Sequence, residues 1–162
     1  MKIFLTGAAG FIGFSLSLEL LKKKYKVYAI DNLDNYYSLK LKKKRLSILK
    51  QYKNFHFKKI DISNKKILEN YLKTKNFDVI FHLAAQAGVR YSNQNPNAYF
   101  ESNIFAFHNI IEQAKDHNIK LIYASSSSVY GDEKRIPFKE TFSTRPLSLY
   151  GATKKINEII TD

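Results

Sequence analysis

The sequence predicts an α/β fold in which helices cover both faces of a parallel sheet. Short apolar runs that are typical of buried strands alternate with longer segments whose apolar residues recur at helical spacing. A turn punctuated by Gly7, Gly10 and Gly13 joins the first of these strands to the first helix. Because strand–helix–strand crossovers are right-handed, five such strands most simply adopt the order 3-2-1-4-5 in a doubly wound sheet.

The first half of the chain predicts three strands and their crossover helices. Residues 2–6 form an apolar run that ends in glycine, and helical spacing begins at Gly10. The following elements are predicted as a strand at residues 27–30, a helix at about 39–51 and a strand at 55–60.

The second half continues the alternation. It predicts a helix at residues 67–72, an almost wholly apolar strand at 79–83, a helix at 98–116, a strand at 120–124 and a last helix from Leu149. A strand that is apolar throughout is typical of a sheet buried on both faces. Residues 131–148 are the only long irregular segment, and nothing marks a second domain, so we expect residues 1–162 to form one.

Composition restricts the classes of function. The chain of 162 residues has no cysteine and four scattered histidines, which predicts no metal site. No segment has the apolar length of a signal-peptide core or a membrane span, so we expect a cytoplasmic protein without a membrane partner. Most of the excess behind the net charge of +13 is lysine, and its short basic runs are Lys22–Lys24, Lys42–Arg45 and Lys65–Lys66. Since no aromatic residues are interleaved with them, a solvated basic surface is favoured over a nucleic-acid site.

The glycine turn has the chemistry of a pyrophosphate site. Backbone N–H groups at a helix N-terminus attract anions, and glycines at 7, 10 and 13 remove the Cβ atoms that would block close approach. The spacing is G-x-x-G-x-x-G rather than the common G-x-G-x-x-G, and a glycine pattern alone is a weak signal. We expect Phe11 and Ile12, at the start of the helix, to contribute to the same site.

Asp31 provides the context for this turn. It ends the second strand, at about the separation expected of an acidic residue that binds the adenosine ribose hydroxyls. Its charge would repel a 2′-phosphate, which favours NAD over NADP. The alternative is that Asp31 and Asn32 only start a turn, and that lysines 40, 42, 43 and 44 receive a phosphate instead.

A tyrosine and a lysine near the end of the chain form a candidate acid–base pair. Tyr150 and Lys154 are four residues apart, which on a helix places them on one face at a distance of about 6 Å. An ammonium at that distance favours a phenolate, so the tyrosine could act as a base. The same spacing occurs elsewhere in the chain, for example at Tyr71 and Lys75, so the motif is convincing only because it lies after the fifth strand and the serine run at residues 125–128.

These motifs together resemble the extended short-chain dehydrogenase/reductase family, in particular its NAD-dependent nucleotide-sugar epimerases, over all 162 residues. Residues 31–37 (DNLDNYY), 41–42 and 45–46, and above all residues 84–92 (AAQAGVRYS), are similar to the UDP-glucuronate 4-epimerases. The resemblance implies a Rossmann-like fold with NAD as its cofactor.

The resemblance also implies roles for individual residues. Tyr150 would be the catalytic base, Lys154 would lower its pKa and hold the nicotinamide ribose, and Ser126 would bond the sugar oxygen with help from Ser127 and Ser128. Arg90 would face the substrate. The implied cofactor contacts are Gly7, Gly10, Phe11, Ile12, Gly13, Asp31, Asn32, Asp61, Ile62, Leu83, Ala84, Ala85, Gln86, Asn103, Tyr150 and Lys154.

The implied reaction is epimerisation at C4 of a UDP-sugar through a 4-keto intermediate, with UDP-glucuronate as the expected substrate. UDP-glucose 4-epimerase and a catalytically silent NAD-binding module are the alternatives. Related 4,6-dehydratases have an acidic pair where this chain has Ser127 and Ser128, which argues against dehydration. Family members continue beyond residue 162 with a small substrate domain, so we expect a truncated sheet that lacks it. They commonly pair through helices that include residues 98–116, which implies a homodimer.

Overall fold

The computed structural model describes every residue from Met1 to Asp162. Its core is one sheet of five parallel strands, ordered β3-β2-β1-β4-β5. The strands are β1 (Lys2–Thr6), β2 (Lys26–Asp31), β3 (Phe55–Lys59), β4 (Val79–His82) and β5 (Lys120–Tyr123). This order and the parallel pairing confirm the predicted Rossmann-like, doubly wound fold.

Seven α-helices and two short helical turns connect and follow the strands. The helices are α1 (Phe11–Lys22), α2 (Leu39–Leu49), α3 (Lys65–Leu72), α4 (Val89–Gln94), α5 (Pro96–Tyr99), α6 (Ala106–Asp116) and α7 (Leu149–Ile159). A π-helical turn, Phe100–Phe105, joins α5 to α6, and a 3₁₀ turn, Ser127–Tyr130, follows β5.

The chain forms two compact units. The first, which we call the sheet unit, consists of Met1–Ala84 and Asn109–Tyr123 and contains all five strands. The second, the tyrosine unit, consists of Ala85–His108 and Ala124–Asp162. The assignment of residues 1–162 to a single domain stays a prediction.

The three central strands of the sheet unit, β1, β2 and β4, are largely buried on both faces, whereas the edge strands β3 and β5 are partly exposed. On one face, α1 and α2 pack leucines against Ile3, Leu5 and Val27 of β1 and β2, all of which are fully buried. On the other face, the ring of Phe4 stacks on Phe77 at 5.4 Å between centroids. The apolar runs of the sequence reflect this double burial.

The predicted and observed elements differ in two places. The single helix predicted at residues 98–116 is interrupted by the π-helical turn, and the side chain of Asn103 in that turn is buried. Helix α4 was not predicted, since its six residues have only Ser92 buried and carry no apolar periodicity. The other boundaries agree within two residues, as is usual for helix and strand ends.

None of the helices combines the length and the apolar character that crossing a bilayer requires. No group of three or more metal-ligating side chains is present either.

Ser17 provides a test of the packing between α1 and the sheet. Its side chain is fully buried, and its hydroxyl has no hydrogen-bond partner. A buried, unsatisfied hydroxyl is unfavourable, and alanine has the higher helix propensity. We therefore expect Ser17→Ala to raise the free energy of unfolding by about 1 kcal/mol, which thermal unfolding would detect as a Tm increase of about 2–4 °C.

Ser15→Ala is the matched control on the same helix. Ser15 is exposed, and its hydroxyl donates to the carbonyl of Phe11 at 3.0 Å, so its removal should change stability by less than about 0.5 kcal/mol. A loss of stability in Ser17→Ala would show that the hydroxyl has a partner in solution.

Candidate active site

The glycine turn is the part of the sheet unit that can accept an anion. The N–H of Gly7 donates to the carbonyl of Ile30 at 2.9 Å, and the N–H of Gly10 to the carbonyl of Gly7 at 3.0 Å. Gly10 is the N-cap of α1 and offers no side chain to cap it. The N–H groups of the first turn are therefore available to a ligand at the positive end of the helix dipole.

Close backbone packing explains two of the three glycines. Gly7 has φ of +75°, and a Cβ there would lie 2.7 Å from the backbone nitrogen of Ala84. A Cβ on Gly13 would collide with the carbonyl of Gly7. Beside them, the side chains of Phe11 and Ile12 are 73% and 59% exposed, so two apolar groups flank the open helix end.

Asp31 binds the glycine turn directly. One carboxylate oxygen accepts from the N–H of Ala9 at 3.0 Å, and the other accepts from the N–H of Leu33 at 2.8 Å. Lys42 is buried beside it, with 4.0 Å between its Nζ and Asp31 Oδ1. The bond to Leu33 forms the turn that the alternative interpretation of Asp31 describes. The bond to Ala9 shows that the same carboxylate also holds the glycine turn.

Tyr37 and Arg45, which the sequence analysis did not select, bind the carbonyl of the same residue, Ala9. The carbonyl of Ala9 accepts from Tyr37 Oη at 3.2 Å and from Arg45 Nη1 at 3.1 Å. Arg45 and Tyr37 are also bonded to each other at 2.5 Å. Both lie in residues 31–46, whose likeness to the epimerases was the available signal for them.

The side chains of Asn32 and Asp61 meet at the ends of β2 and β3, where Asn32 Nδ2 donates to Asp61 Oδ2 at 3.1 Å. Partial burial raises the pKa of Asp61, but hydrogen bonds from Ser63 and Asn32 outweigh it and leave that pKa below its usual value. Ile62 is buried, and its carbonyl accepts from Asn109 Nδ2 at 2.9 Å.

The segment that follows β4 is held by two side chains. In the sheet unit, the N–H groups of Leu83 and Ala84 donate to Thr6 Oγ1 at 3.2 and 3.1 Å. In the tyrosine unit, Ala85 is exposed, and Asn103 forms a pair of bonds with the backbone of Gln86, at 2.8 Å to its N–H and 3.0 Å to its carbonyl.

Lys154 is buried in the tyrosine unit. It is 4% exposed, and its Nζ donates to the carbonyl of Ala124 at 2.8 Å. Burial lowers the pKa of Lys154 to about 8, since desolvation disfavours the ammonium. Tyr150 lies one turn earlier in α7, and its half-buried ring meets that of Tyr99 edge-on at 6.2 Å.

The second tyrosine–lysine pair has a different environment. Burial raises the pKa of Tyr71 to about 12, which disfavours a phenolate. Lys75 lies over the face of that ring at 4.2 Å and donates to the carbonyl of Tyr71. The geometry therefore distinguishes two motifs that the spacing could not.

The serine run forms the 3₁₀ turn beside α7. Ser126 Oγ accepts from the N–H of Ser128 at 3.2 Å, which leaves the hydroxyl proton of Ser126 free to be donated. Ser127 is exposed and Ser128 half-buried. A Cβ on Gly151 would lie 2.7 Å from the carbonyl of Ser128, so this glycine, which the sequence analysis passed over, allows α7 to approach the turn.

Arg90 lies on α4, the helix that was not predicted. Its side chain is exposed. No hydrogen bond or ion pair connects it to the residues described above.

A buried polar network supports α7. Asn103 Nδ2 donates to Thr153 Oγ1 at 3.1 Å, and Thr153 Oγ1 donates to the carbonyl of Tyr150 at 2.8 Å. With its amide turned so that the nitrogen faces these acceptors, Asn157 donates to the carbonyls of Asn103 and Thr153 at 2.8 and 3.1 Å. The backbone of the candidate base is thus fixed by side chains that sequence reasoning missed, with the exception of Asn103.

Known proteins resemble both units. The uncharacterized protein MJ1055 of Methanocaldococcus jannaschii is 52% identical over 98% of this chain and 50% of its own length. The structure of UDP-glucuronic acid 4-epimerase from Bacillus cereus, in complex with UDP-glucuronic acid and NAD, is 39% identical, with a TM-score of 0.85 over 99% of this chain and 51% of that one. UDP-glucose 4-epimerase from Bifidobacterium longum, in complex with NAD⁺ and UDP, is 29% identical, with a TM-score of 0.85 over 99% and 48% of the two chains.

The chain spans about half the length of the curated relatives it matches. Residues 4–162 match the family described as GDP-mannose 4,6 dehydratase. Because that match covers nearly the whole chain, the chain belongs to this family, within the extended short-chain dehydrogenases/reductases.

Proposed function

We propose that the protein serves the NAD-dependent epimerisation of a UDP-sugar at C4. The observation that carries the proposal is the buried Lys154 one helical turn from Tyr150, in a chain that also has an open, glycine-lined helix N-terminus. The tyrosine and lysine pair suits proton transfer from a sugar hydroxyl, and the open helix N-terminus suits the pyrophosphate of a dinucleotide. Relatives that bind both NAD and a UDP-sugar support the combination.

The sheet unit would hold the adenosine half of NAD. The N–H groups of Phe11 and Ile12 would face the pyrophosphate, since the first turn of α1 has no cap. Asp31 would accept from the ribose hydroxyls through the lone pairs that Ala9 and Leu33 leave free. The exposed carboxylate of Asp61 would lie near the adenine. NAD held by these residues would supply reversible hydride transfer at C4 of the sugar.

The tyrosine unit would move the proton. At neutral pH most of Lys154 is protonated, since its pKa lies at about 8, and an ammonium near the phenol lowers the free energy of the phenolate. Tyr150 would then remove the proton of the C4 hydroxyl. Ser126 would donate its free hydroxyl proton to the C4 oxygen, with Ser127 and Ser128 beside it.

UDP-glucuronate is the substrate we propose. The likeness of residues 31–46 and 84–92 to the UDP-glucuronate 4-epimerases and the Bacillus cereus structure with UDP-glucuronic acid support it. Exposed Arg90 would meet the acidic sugar. UDP-glucose is the alternative, supported by the Bifidobacterium longum enzyme. Dehydration is disfavoured despite the family description, because Ser127 and Ser128 carry no carboxylate.

Tyr150→Phe tests the proposed base. The variant keeps the ring that packs on Tyr99 but loses the proton-transfer group, so UDP-glucuronate turnover by the whole gene product should fall by about 10²–10⁴-fold. NAD affinity, measured by calorimetry, should fall by no more than about tenfold, since the variant removes only one hydroxyl from the implied cofactor contacts. Coupled assays of UDP-galacturonate formation would give the rate.

Tyr71→Phe is the matched control, because Tyr71 occupies the same motif with a pKa raised to about 12. Its turnover should equal that of the unmodified protein. Equal turnover in the Tyr150→Phe variant would exclude Tyr150 as the base. NAD binding with no turnover in the unmodified protein would favour the silent binding module.

Asp31→Asn tests the choice of cofactor. Asparagine keeps one acceptor for the backbone N–H groups that Asp31 binds but removes the charge that would repel a 2′-phosphate. We expect NAD affinity to fall by about tenfold and the preference for NAD over NADP to shrink by more than that. Titration calorimetry with each dinucleotide measures both constants.

Asp34→Asn is the control, because Asp34 is exposed and its carboxylate accepts only from the N–H of Tyr36, at 2.7 Å. The affinities of the Asp34→Asn variant for NAD and for NADP should not change. An unaltered NAD to NADP ratio in Asp31→Asn would mean that Asp31 only forms the turn.

Lys154→Met tests the burial of the ammonium. Folding lowers the pKa of Lys154 from 10.5 to about 8, so the unfolded chain holds this proton more tightly and stability rises as pH increases from about 8 to 10.5. Methionine removes the unfavourable buried charge. We expect the variant to be about 1–2 kcal/mol more stable at pH 7 and the difference to disappear near pH 10, as measured by urea unfolding.

Lys155→Met is the control on the same helix. Lys155 is one-third exposed and pairs with Glu158 at 3.2 Å, so its replacement should lower stability by at most about 1 kcal/mol, equally at pH 7 and 9. A Lys154→Met variant that is less stable at pH 7, or whose difference is independent of pH, would contradict a buried ammonium.

A further inference from the structure

The charge of the protein is concentrated in the sheet unit. That unit has twenty lysines and arginines and eight carboxylates, which gives a net charge of +12. The tyrosine unit has seven lysines and arginines and six carboxylates, a net charge of +1. The sequence shows the lysines as scattered runs. The fold determines where those runs meet.

Eleven of the lysines lie at one end of the sheet. Parallel strands begin at the same edge, and Lys2, Lys26 and Lys120 are the first residues of β1, β2 and β5. The crossover helices end at the same edge, because each precedes the start of the next strand. We call this surface the lysine edge, and its members are Lys2, Lys22, Lys23, Lys24, Lys26, Lys50, Lys53, Lys73, Lys75, Lys115 and Lys120.

Helix dipoles account for only part of this charge. Lysines near helix C-termini are favourable because each terminus carries about half a negative charge, so four helix ends offset about two lysines. Four carboxylates lie at the edge or within one helical turn of it, Glu19, Glu69, Asp78 and Asp116, and Glu19 pairs with Lys22. An excess of about five positive charges remains on this end of the sheet. All of its lysines except Lys75 are exposed.

Lysines stand at two places on the edge where they lower stability. Lys24 has φ of +63°, a conformation in which glycine or asparagine is favoured. Lys2 and Lys26 are direct partners in the β1–β2 register, where like charges repel. Residues retained in unfavourable positions are a reason to look for a function. A surface that only needed to be soluble would not require lysine at either position.

We propose that the lysine edge is a docking surface for a bilayer of anionic lipids. The expectation of no membrane partner rests on the lack of a spanning segment, which a peripheral contact does not require. All eleven cations are lysines, which act as point charges near a diffuse negative surface, whereas nucleic-acid sites favour arginine and its paired hydrogen bonds. The aromatic rings of the edge, Tyr25, Tyr52, Phe55 and Phe77, are buried or half-buried, so no base can stack there. The glycine turn lies at the other end of β1 and stays open to a ligand.

Vesicle sedimentation tests the proposal with the chain as it is. At about 50 mM salt, where screening is weak, the protein should sediment with vesicles of phosphatidylcholine containing about 30% phosphatidylglycerol and not with phosphatidylcholine alone. Binding should be lost at about 500 mM salt. The variant with Lys23, Lys24, Lys26 and Lys53 changed to Gln should bind at least about a hundredfold more weakly, since each lysine near such a surface contributes about fivefold.

The control variant changes Lys40, Lys43, Lys44 and Lys66 to Gln. It removes the same charge from exposed positions in the first half of α2 and at the start of α3, away from the edge. Its vesicle binding should fall by less than about fivefold. Equal loss in the two variants would show that net charge alone is responsible and would overturn the proposal. Tighter binding to a DNA duplex than to the anionic vesicles would overturn it in favour of a nucleic-acid surface.

Lys24→Asn separates function from folding. Because asparagine tolerates positive φ, the Tm should stay equal or rise by about 2–4 °C, while vesicle affinity falls by about fivefold. A variant that is as stable and binds vesicles as tightly as the unmodified protein would show that Lys24 does not face the lipid.

Discussion

The close packing of the glycine turn against its own backbone is the constraint on which the sheet unit depends. The carbonyl of Gly7 occupies the space that a side chain at residue 13 would need, and residue 7 itself lies against the backbone of Ala84. The turn can therefore close only with hydrogen at both positions. Once closed, it gives its amide groups to Ile30 and Asp31. The end of β2 and the start of α1 are fixed by the same few atoms, so the candidate pyrophosphate site and the strand register form together.

The tyrosine unit is held by a different means. Thr153, Asn157 and Asn103 are all within 1% of complete burial, and they satisfy one another and the backbone of Tyr150. Buried polar groups are favourable only when every member has a partner. The π-helical turn makes this possible, since it directs Asn103 toward Gln86 and Thr153 at once. Lys154 is the exception, because one carbonyl only partly offsets the desolvation of its ammonium. Such stored instability is common at functional sites.

Most of the fold could be predicted because the central strands, β1, β2 and β4, are largely buried on both faces. Double burial requires continuous apolar runs, which showed where these strands lie, and the right-handed crossovers between successive strands gave the order that the sheet has. The π-helical turn could not be predicted, because it depends on the bonds between Asn103, Gln86 and Thr153, which are distant in sequence. Arg45 and Tyr37 were missed for a similar reason, because their partner is the backbone carbonyl of residue 9. Every residue has a carbonyl, so the sequence does not indicate which one a side chain binds. The glycines could be selected, since the absence of a side chain is visible.

The two tyrosine–lysine motifs show why spacing alone could not identify the site. In one, the tyrosine is the buried partner, its pKa is raised to about 12, and Lys75 lies over its ring face. In the other, the lysine is the buried partner, the tyrosine is half-exposed, and the pKa of Lys154 falls to about 8. A base must exchange protons with a ligand, so its hydroxyl has to be reachable, while the cation that favours its ionised form gains strength when water is excluded around it. Of these two pairs, the one on α7 has the reachable tyrosine and the buried lysine that the proposed base requires. The two pairs differ because the fold buries the tyrosine in one and the lysine in the other. The residues next to each motif in the sequence do not determine which of the two is buried.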